Sequence, residues 1–267
     1  MTNQRIGSIK RIASRFLDLL YPPGLYCNVC GNLIDEKMPY HLCAHCLKHF
    51  RWDMRPPFEI SGLRYMACVK YGIYERSLIF SLKYQNRKYI ARDIADMMAD
   101  KLQYAGETGD VIVPVPLFPK KEKERGFNQA VLIGGYLSKR TGIPMLPDAL
   151  RRVRETVPMR GLSPEERDAN IQGSFQLGER RIESLRNKKI ILLDDFVTTG
   201  ATGREAKRAL GRADPQDVLL FSFAARYGDR VREYGGQALE YGDRVLEQDE
   251  LEREDGKILE REDDWNR

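Results

Sequence analysis

The chain has 267 residues, 42 % of them hydrophobic and 31 % charged, with a net charge of +5. That balance excludes a disordered chain, and the length gives room for one large domain or two modest ones with a real core. No apolar run approaches the roughly 20 residues a membrane span needs, so the expectation is a cytoplasmic protein without a span.

The first residues, "MTNQRIGSIKRIASRFLDLLYPP", mix Arg5, Lys10, Arg11 and Arg15 with Ile6, Ile9, Ile12, Phe16 and Leu20. This is the pattern of a short basic amphipathic helix, expected over residues 1–25 and packing on its own domain. It lacks the unbroken apolar block and small-residue cleavage site of a signal peptide.

Next comes "YCNVCGNLIDEKMPYHLCAHCLKHF". Cys27 and Cys30 form one CxxC pair and Cys43 and Cys46 a second, 12 residues further on. Each pair places two thiolates on one side of a tight turn, and two such turns complete a tetrahedral four-sulfur zinc site. Four protein ligands leave no open position for water, so the expected zinc is structural. A disulfide is disfavoured in a cytosolic setting. His41, His45 and His49 fall at helical intervals around the second pair, where one could replace a thiolate, although four cysteines already complete the set. Cys68, alone, is expected to be a buried apolar residue. The proline-containing "WDMRPPF" (52–58) reads as a linker, giving a cysteine module over 26–58.

From about residue 60, strand-like apolar runs alternate with helical ones. "SLIFSLKY" (77–84) leads toward a helix at 91–103, then come a strand at 110–116, a helix from "GFNQAVLIGGYLSKRTG" and a short strand "IPML". Residues 151–173 carry many charges and few apolar runs, as a long functional loop with some helix would. "KKIILLDD" is then a buried strand, "ATGREAKRALGRA" a helix and "DVLLFSFAAR" another strand. The alternation predicts an α/β domain over 59–226 with a mainly parallel sheet and helices on both faces. The last segment, 227–267, is an acidic tail. From Glu240 it holds 12 acids and 5 bases, a net −7 that leaves +12 on the rest. Basic clusters at 120–125, 151–154 and 186–189 suit a polyanionic ligand, whether a sugar phosphate or nucleic acid.

The stretch "IILLDDFVTTGATG" (190–203) carries the chemistry. Ligands of open α/β sheets bind beyond the carboxyl ends of strands. Here such an end is followed by Val197, Thr198, Thr199, Gly200, Ala201 and Thr202 and then a helix. A small-residue turn at a helix N-terminus points backbone N–H groups at an anion, and the helix dipole favours a phosphate there. Asp194 and Asp195 cannot serve that phosphate. Sugar hydroxyls, or a magnesium ion shared with them, would satisfy the acids.

This segment closely resembles the signature by which type I phosphoribosyltransferases bind 5-phosphoribosyl 1-diphosphate (PRPP), with Phe196 in a place usually held by Val or Ile. Together with "VPVPLFPKKEKERGFNQA" (113–130), "LRRVRETVPMRGLSPEERDANIQGSF" (150–175) and the cysteine pairs, it is similar to the ComF family over roughly residues 15–226. Those are zinc-ribbon-bearing phosphoribosyltransferase-like proteins associated with DNA uptake in competent bacteria. Two positions depart from that pattern: Met159, where glutamine is common, and Asn86, where the "LKY" segment often continues with glycine.

The resemblance implies a type I phosphoribosyltransferase-like fold with an N-terminal four-cysteine zinc ribbon. It implies that Asp194 and Asp195 meet the ribose 2- and 3-hydroxyls and that Val197–Thr202 holds the 5-phosphate. Pro116, Leu117 and Phe118 would form the pyrophosphate loop, with Lys120, Lys121 and Arg125 near the diphosphate and Mg2+ bridging ligand oxygens. Asn128 and Gln129 either support that loop or cap a helix. The 151–173 loop, with Arg151, Arg152, Arg154, Arg160 and Arg167, is the candidate lid. The implied activity is transfer of phosphoribose from PRPP to a nitrogen acceptor with release of pyrophosphate. The alternatives are a non-catalytic single-stranded DNA-binding competence factor, with Trp52, Tyr65, Tyr71 and Tyr74 as stacking candidates, and a PRPP-sensing regulator. Competence helicase or recombination proteins are the implied protein partners.

Overall fold

A computed structural model of the chain describes residues 24–157 and 163–226, so the expected N-terminal helix, the acidic tail and Met159 lie outside the described residues. Its strands are β1 (Phe58–Ile60), β2 (Leu63–Lys70), β3 (Val111–Pro114), β4 (Leu150–Arg152), β5 (Phe175–Leu177), β6 (Lys189–Val197) and β7 (Asp217–Ala225). Its α-helices are α1 (Ala44–His49), α2 (Ile73–Tyr84), α3 (Ile90–Ala105), α4 (Pro119–Arg125), α5 (Gln129–Thr141), α6 (Pro164–Ile171), α7 (Ile182–Leu185) and α8 (Ala201–Leu210).

The main sheet runs in the order β1-β2-β7-β6-β3. Only β1 is antiparallel; β2–β7, β7–β6 and β6–β3 are parallel pairs. β6 therefore has a strand on each side, and its residues 190–193 are all buried. The period of two along a strand divides that apolar run between two cores. Ile191 and Leu193 pack with α2, α3 and α5, through Leu78, Leu82, Ile94, Met98, Ile133 and Leu137. Ile190 and Leu192 pack on the other face with Ala206, Ala209 and Leu210 of α8 and with Leu150 and Phe175 of the β4–β5 pair. The expected α/β sheet, covered on both faces, is what the structure contains.

The run 77–84 is helical where a strand-like pattern was expected. Leu78, Ile79 and Leu82 are its buried apolar residues, at spacings of one and three that mark one helix face better than a strand's alternation. The expected strand "IPML" contributes a single parallel bridge, Met145 to Ile112. Within 151–173, Arg152 pairs with Phe175 across β4 and β5, and the remaining helix is α6. Asn86 adopts φ 56, the left-handed region that glycine enters freely and asparagine tolerates, which explains why the two residues exchange there.

The cysteine segment is joined to the sheet domain by buried polar contacts. Cys27, Leu42, Cys46 and Phe50 belong to the same core as α3. Asp93 of α3 is 3 % exposed and receives Asn28 Nδ2 at 2.7 Å on one oxygen and His41 Nδ1 at 2.8 Å on the other. One carboxylate thus holds a residue from each half of the segment. Tyr40 Oη donates to Asp100, further along the same helix, at 2.7 Å. The stretch 51–53 continues this attachment, since Asp53 N donates to Cys68 O and Lys70 N to Arg51 O, so the start of the 52–58 connector lies against β2.

Removing the Asp93 carboxylate leaves Asn28 Nδ2 buried without its acceptor. Asp93→Ala is therefore expected to lower unfolding stability by about 2–3 kcal/mol. In urea denaturation followed by limited proteolysis, cleavage within 26–50 should precede cleavage of the sheet.

Candidate functional site

Asp194 and Asp195 stand at the carboxyl end of β6, and their carboxylates remain close enough to interact directly. Asp195 follows Ile191 and Leu193 toward the α2 and α5 side. There Lys83 Nζ of α2 approaches its Oδ2 at 2.5 Å, and Gln129 Nε2 of α5 lies 3.5 Å from the same oxygen. Asp194 lines the turn that leads into α8, and both Arg152 of β4 and Lys83 of α2 feel its charge. The two acids are linked by the Asp195 backbone N–H, which donates to Asp194 Oδ1 at 2.8 Å. Burial, and then the neighbouring Asp195 charge, push the Asp194 carboxyl well above its ordinary range, against the pull of Lys83.

The turn after β6 has the form an anion needs. Gly200, at φ 75, is the residue before α8, and the left-handed conformation there favours glycine. The first N–H groups of a helix have no intrahelical partner, so α8 directs its first turn outward. Arg204 Nη1 braces the turn by donating to Thr199 O at 2.8 Å. Arg167, Asp194 and residues 196–203 line an open concavity. It contains all six expected phosphate-turn residues, Val197, Thr198, Thr199, Gly200, Ala201 and Thr202, and one of the two acids.

The loop Pro116–Leu117–Phe118 leaves the end of β3, the parallel neighbour of β6, so it emerges at the same edge of the sheet. Two bonds hold its root: Val115 N donates to Leu193 O at 2.8 Å, and Asn128 Nδ2 donates to Val115 O at 3.0 Å. Asn128 also caps α5, its Oδ1 accepting from Ala130 N at 2.9 Å. The two readings of Asn128 are therefore both realised, since the cap is also the clamp on the loop. "KKEKER" forms α4, whose last residue Arg125 lies with its guanidinium 5.7 Å from the Tyr84 ring centre and close enough to Lys83 to oppose its charge.

The candidate lid arginines separate. Arg152 faces Asp194 and packs over the Phe175 ring, with its Nη2 on Thr156 Oγ1 at 2.5 Å. Arg167 lines the phosphate turn. Arg154 is spent on backbone carbonyls, including Asn170 O at 2.8 Å, and Arg151 is exposed. Arg160 lies outside the described residues. Glu205 of α8 fixes the base of this segment by accepting from Gly173 N at 2.7 Å while bound to Arg208.

Sequence reasoning missed Lys83. It lies in the "LKY" segment of the family pattern, which gave it no role, and its other sign was a lysine inside an apolar helical face beside residues that pack in the core. The aromatic residues considered for base stacking are otherwise engaged. Tyr65 is 2 % exposed with its hydroxyl on Ser222 Oγ, and Trp52, Tyr71 and Tyr74 are partly buried against the core.

The four cysteines come together as their spacing predicts. All four Sγ atoms lie within 4.8 Å of one another, with Cys30 and Cys43 Sγ 3.6 Å apart. Tetrahedral thiolates at the usual Zn–S length of about 2.3 Å sit about 3.8 Å apart, so the donor set fits a zinc ion. Cys43 is also the residue capping α1, where its sulfur accepts from Cys46 N at 3.4 Å. The histidines stand apart from this set: His41 is on Asp93, and His49 Nδ1 is 2.8 Å from His45 O. Cys68 is buried, with its thiol on Met97 O. Among the described residues no helix is long and apolar enough to cross a membrane.

The parallel sheet, the acids ending β6 and the phosphate-type turn entering α8 define an α/β protein of the type I phosphoribosyltransferase fold. A phosphoribosyl transferase domain is matched over residues 126–237. The chain is similar to competence protein F of Haemophilus influenzae, 29 % identical over 74 % of this chain and 84 % of that one. It is similar to the DNA utilization protein YhgH of Salmonella typhi, 28 % identical over 73 % of this chain and 88 % of that one. Against competence protein ComFC of Bacillus subtilis it is 33 % identical over 38 % of each chain. The phosphoribosyl transferase domain and these relatives, named for competence and DNA utilization, support the resemblance to the ComF family.

The raised Asp194 carboxyl has a consequence for stability. Folded protein keeps a proton there that unfolded chain has already shed, so stability falls as pH rises from the ordinary carboxylate range to about 8. Asp194→Asn carries no such proton. Without ligand, the variant is expected to be more stable than wild type by about 2 kcal/mol at pH 8, with the gain vanishing toward pH 4. Denaturation curves across that range measure it.

Proposed function

We propose that the site binds PRPP and that the chain is a phosphoribosyltransferase of the competence and DNA-uptake type. The observation that carries this is the direct succession, at one strand end, of two carboxylates and an anion-cradling helix entrance. The first suits the hydroxyls of a sugar and the second its phosphate, and they follow one another within a few residues. The 5-phosphate takes the N–H groups and hydroxyls of Val197–Thr202, with Arg167 beside it. Asp194 and Asp195 accept from the ribose hydroxyls, which would relieve the desolvation that raises the Asp194 carboxyl. Pro116–Phe118 faces the diphosphate, with Arg125 on the same side as Lys83.

In the transfer, the acceptor nitrogen donates its electron pair to ribose C1, the C1–O bond breaks, and pyrophosphate leaves with the bonding electrons. Such a step asks for charge neutralisation at the leaving group and exclusion of water more than for a protein nucleophile. Magnesium on the diphosphate and ribose oxygens would supply Lewis-acid neutralisation. The lid segment supplies cover, since its base is fixed to α8 by Glu205 while Arg152 and Arg167 face the site.

Calorimetry with PRPP and magnesium is expected to show binding that the double variant Asp194→Asn/Asp195→Asn weakens at least about 100-fold, near 3 kcal/mol. Equal binding by both proteins would remove the assignment. Pyrophosphate release in the presence of candidate nitrogen acceptors then separates an enzyme from a PRPP sensor.

The cysteine cluster, on this reading, holds a structural zinc through Cys27, Cys30, Cys43 and Cys46. Purified protein should contain about one zinc per chain. Cys43→Ser should lose the metal and much of its solubility; metal-free wild type with unchanged melting behaviour would contradict this.

A further inference from the structure

The contact between Lys83 and Asp195 is the driest ion pair near the site. The two side chains are 18 % and 11 % exposed, and the Nζ–Oδ2 distance is 2.5 Å. A pair so far from water adds little to folding, because apolar residues of the same volume hold a core as well or better. Its surroundings also tax it. Arg125 is close enough to oppose the Lys83 charge, and desolvation works against the ammonium, yet Asp195 outweighs both and holds its proton in place. Around Lys83, the helix α2 buries Leu78, Ile79 and Leu82. The fold thus inserts one cation into an apolar helix face, pairs it with Asp195 and leaves it near enough to feel Asp194 as well.

A second group sits on the same oxygen. Gln129 is 3 % exposed, its Nε2 lies 3.5 Å from Asp195 Oδ2, and its buried Oε1 has no hydrogen-bond partner. An amide serving only the core would be expected to satisfy both ends. Here one end is spent on orienting Asp195. Two elements, α2 and α5, therefore converge on Asp195, while its neighbour Asp194 lines the open concavity.

We propose that Lys83 is a positioning residue of the phosphoribosyl site: its ammonium holds the Asp195 carboxylate in one orientation, ready to accept a hydrogen bond from a ribose hydroxyl. This rests on the PRPP reading above. Lys83 acts through Asp195, and a loosely held Asp195 would meet the sugar in several orientations and bind it weakly. The residue lies far from the signature turn in sequence and belongs to none of the segments that carry the phosphate.

Ribose 5-phosphate is the probe, because it carries the sugar and the 5-phosphate without the diphosphate. By calorimetry Lys83→Met should bind it about 10- to 100-fold more weakly than wild type, and Lys83→Arg should recover most of that loss. Asp195→Asn should lose a similar factor. The double variant Lys83→Met/Asp195→Asn should be no weaker than Asp195→Asn alone, since Lys83 has nothing left to position. A general packing defect would instead make the two losses multiply, and that outcome overturns the proposal, as does wild-type affinity in Lys83→Met. If Lys83→Met fails to give a cooperative melt, Lys83→Gln replaces it in the same cycle and is judged by the same outcomes. Wild-type protein that binds neither ribose 5-phosphate nor PRPP removes the PRPP reading itself. Wild-type binding with an insensitive Lys83 removes only this inference.

Discussion

Everything at this site depends on how two adjacent carboxylates are tolerated at the end of a buried strand. Side by side in sequence, they repel, and their carboxylates stay close enough to interact directly. Asp195 is met by the Lys83 ammonium of α2 and the Gln129 amide of α5. Asp194 lines the open turn, where burial and the neighbouring acid hold its carboxyl above the usual range despite Lys83. The result is asymmetric, with one acid fixed by an ion pair and the other near the open turn with its charge disfavoured. Such asymmetry is one way for a fold to hold like charges side by side.

The rest of the fold can be understood as what keeps that strand end in place. β6 is flanked on both sides by parallel strands, so its carboxyl end cannot fray as an edge strand would. The neighbouring β3 delivers the 116–118 loop to the same edge, and Asn128 ties that loop to the start of α5 by bonding Val115 O and Ala130 N together. The cysteine segment reaches the site only indirectly. It docks on α3 through Asp93, and α3 packs with α5 and α2 in one core, so the packing of the segment supports the helices that carry Gln129 and Lys83.

Local features were legible in the sequence because their physics is local. Ile190–Leu193 reads as a buried strand from its apolar run, Gly200 and the threonines read as an anion turn from their residue types, and the four cysteines read as a ligand set from their spacing. What was not legible depends on tertiary distance. Lys83 meets Asp195 only because α2 crosses the end of β6, and nothing within a window of residues around 83 encodes that. The same run was strand-like by hydrophobicity, because large apolar residues crowd a short span, and the helix is recognised only from which of them are buried. Arg152, Arg154 and Arg167 were equivalent in composition. They became different through geometry: Arg154 met backbone carbonyls of its own segment, whereas the other two met the site.

The distances between acids, turn and amide are fixed by two helices pressed unusually close to the sheet, one on each face. On α5, a Cβ at Gly134 would lie 3.0 Å from Leu193 Cδ2 and 2.8 Å from Met145 Sδ. On α8, a Cβ at Gly203 would lie 2.4 Å from Leu220 Cδ2 and 3.0 Å from Leu63 Cδ2. Leu193 of β6 and Leu220 of β7 are fully buried, with no room to yield. A side chain at either glycine would lift its helix from the sheet. On one face that moves Gln129 away from Asp195, and on the other it moves the first turn of α8 away from Asp194. The spacing of a sugar hydroxyl from its phosphate is a fixed chemical length, and on the proposed reading the absence of two Cβ atoms, as much as the signature residues themselves, would match the protein to it.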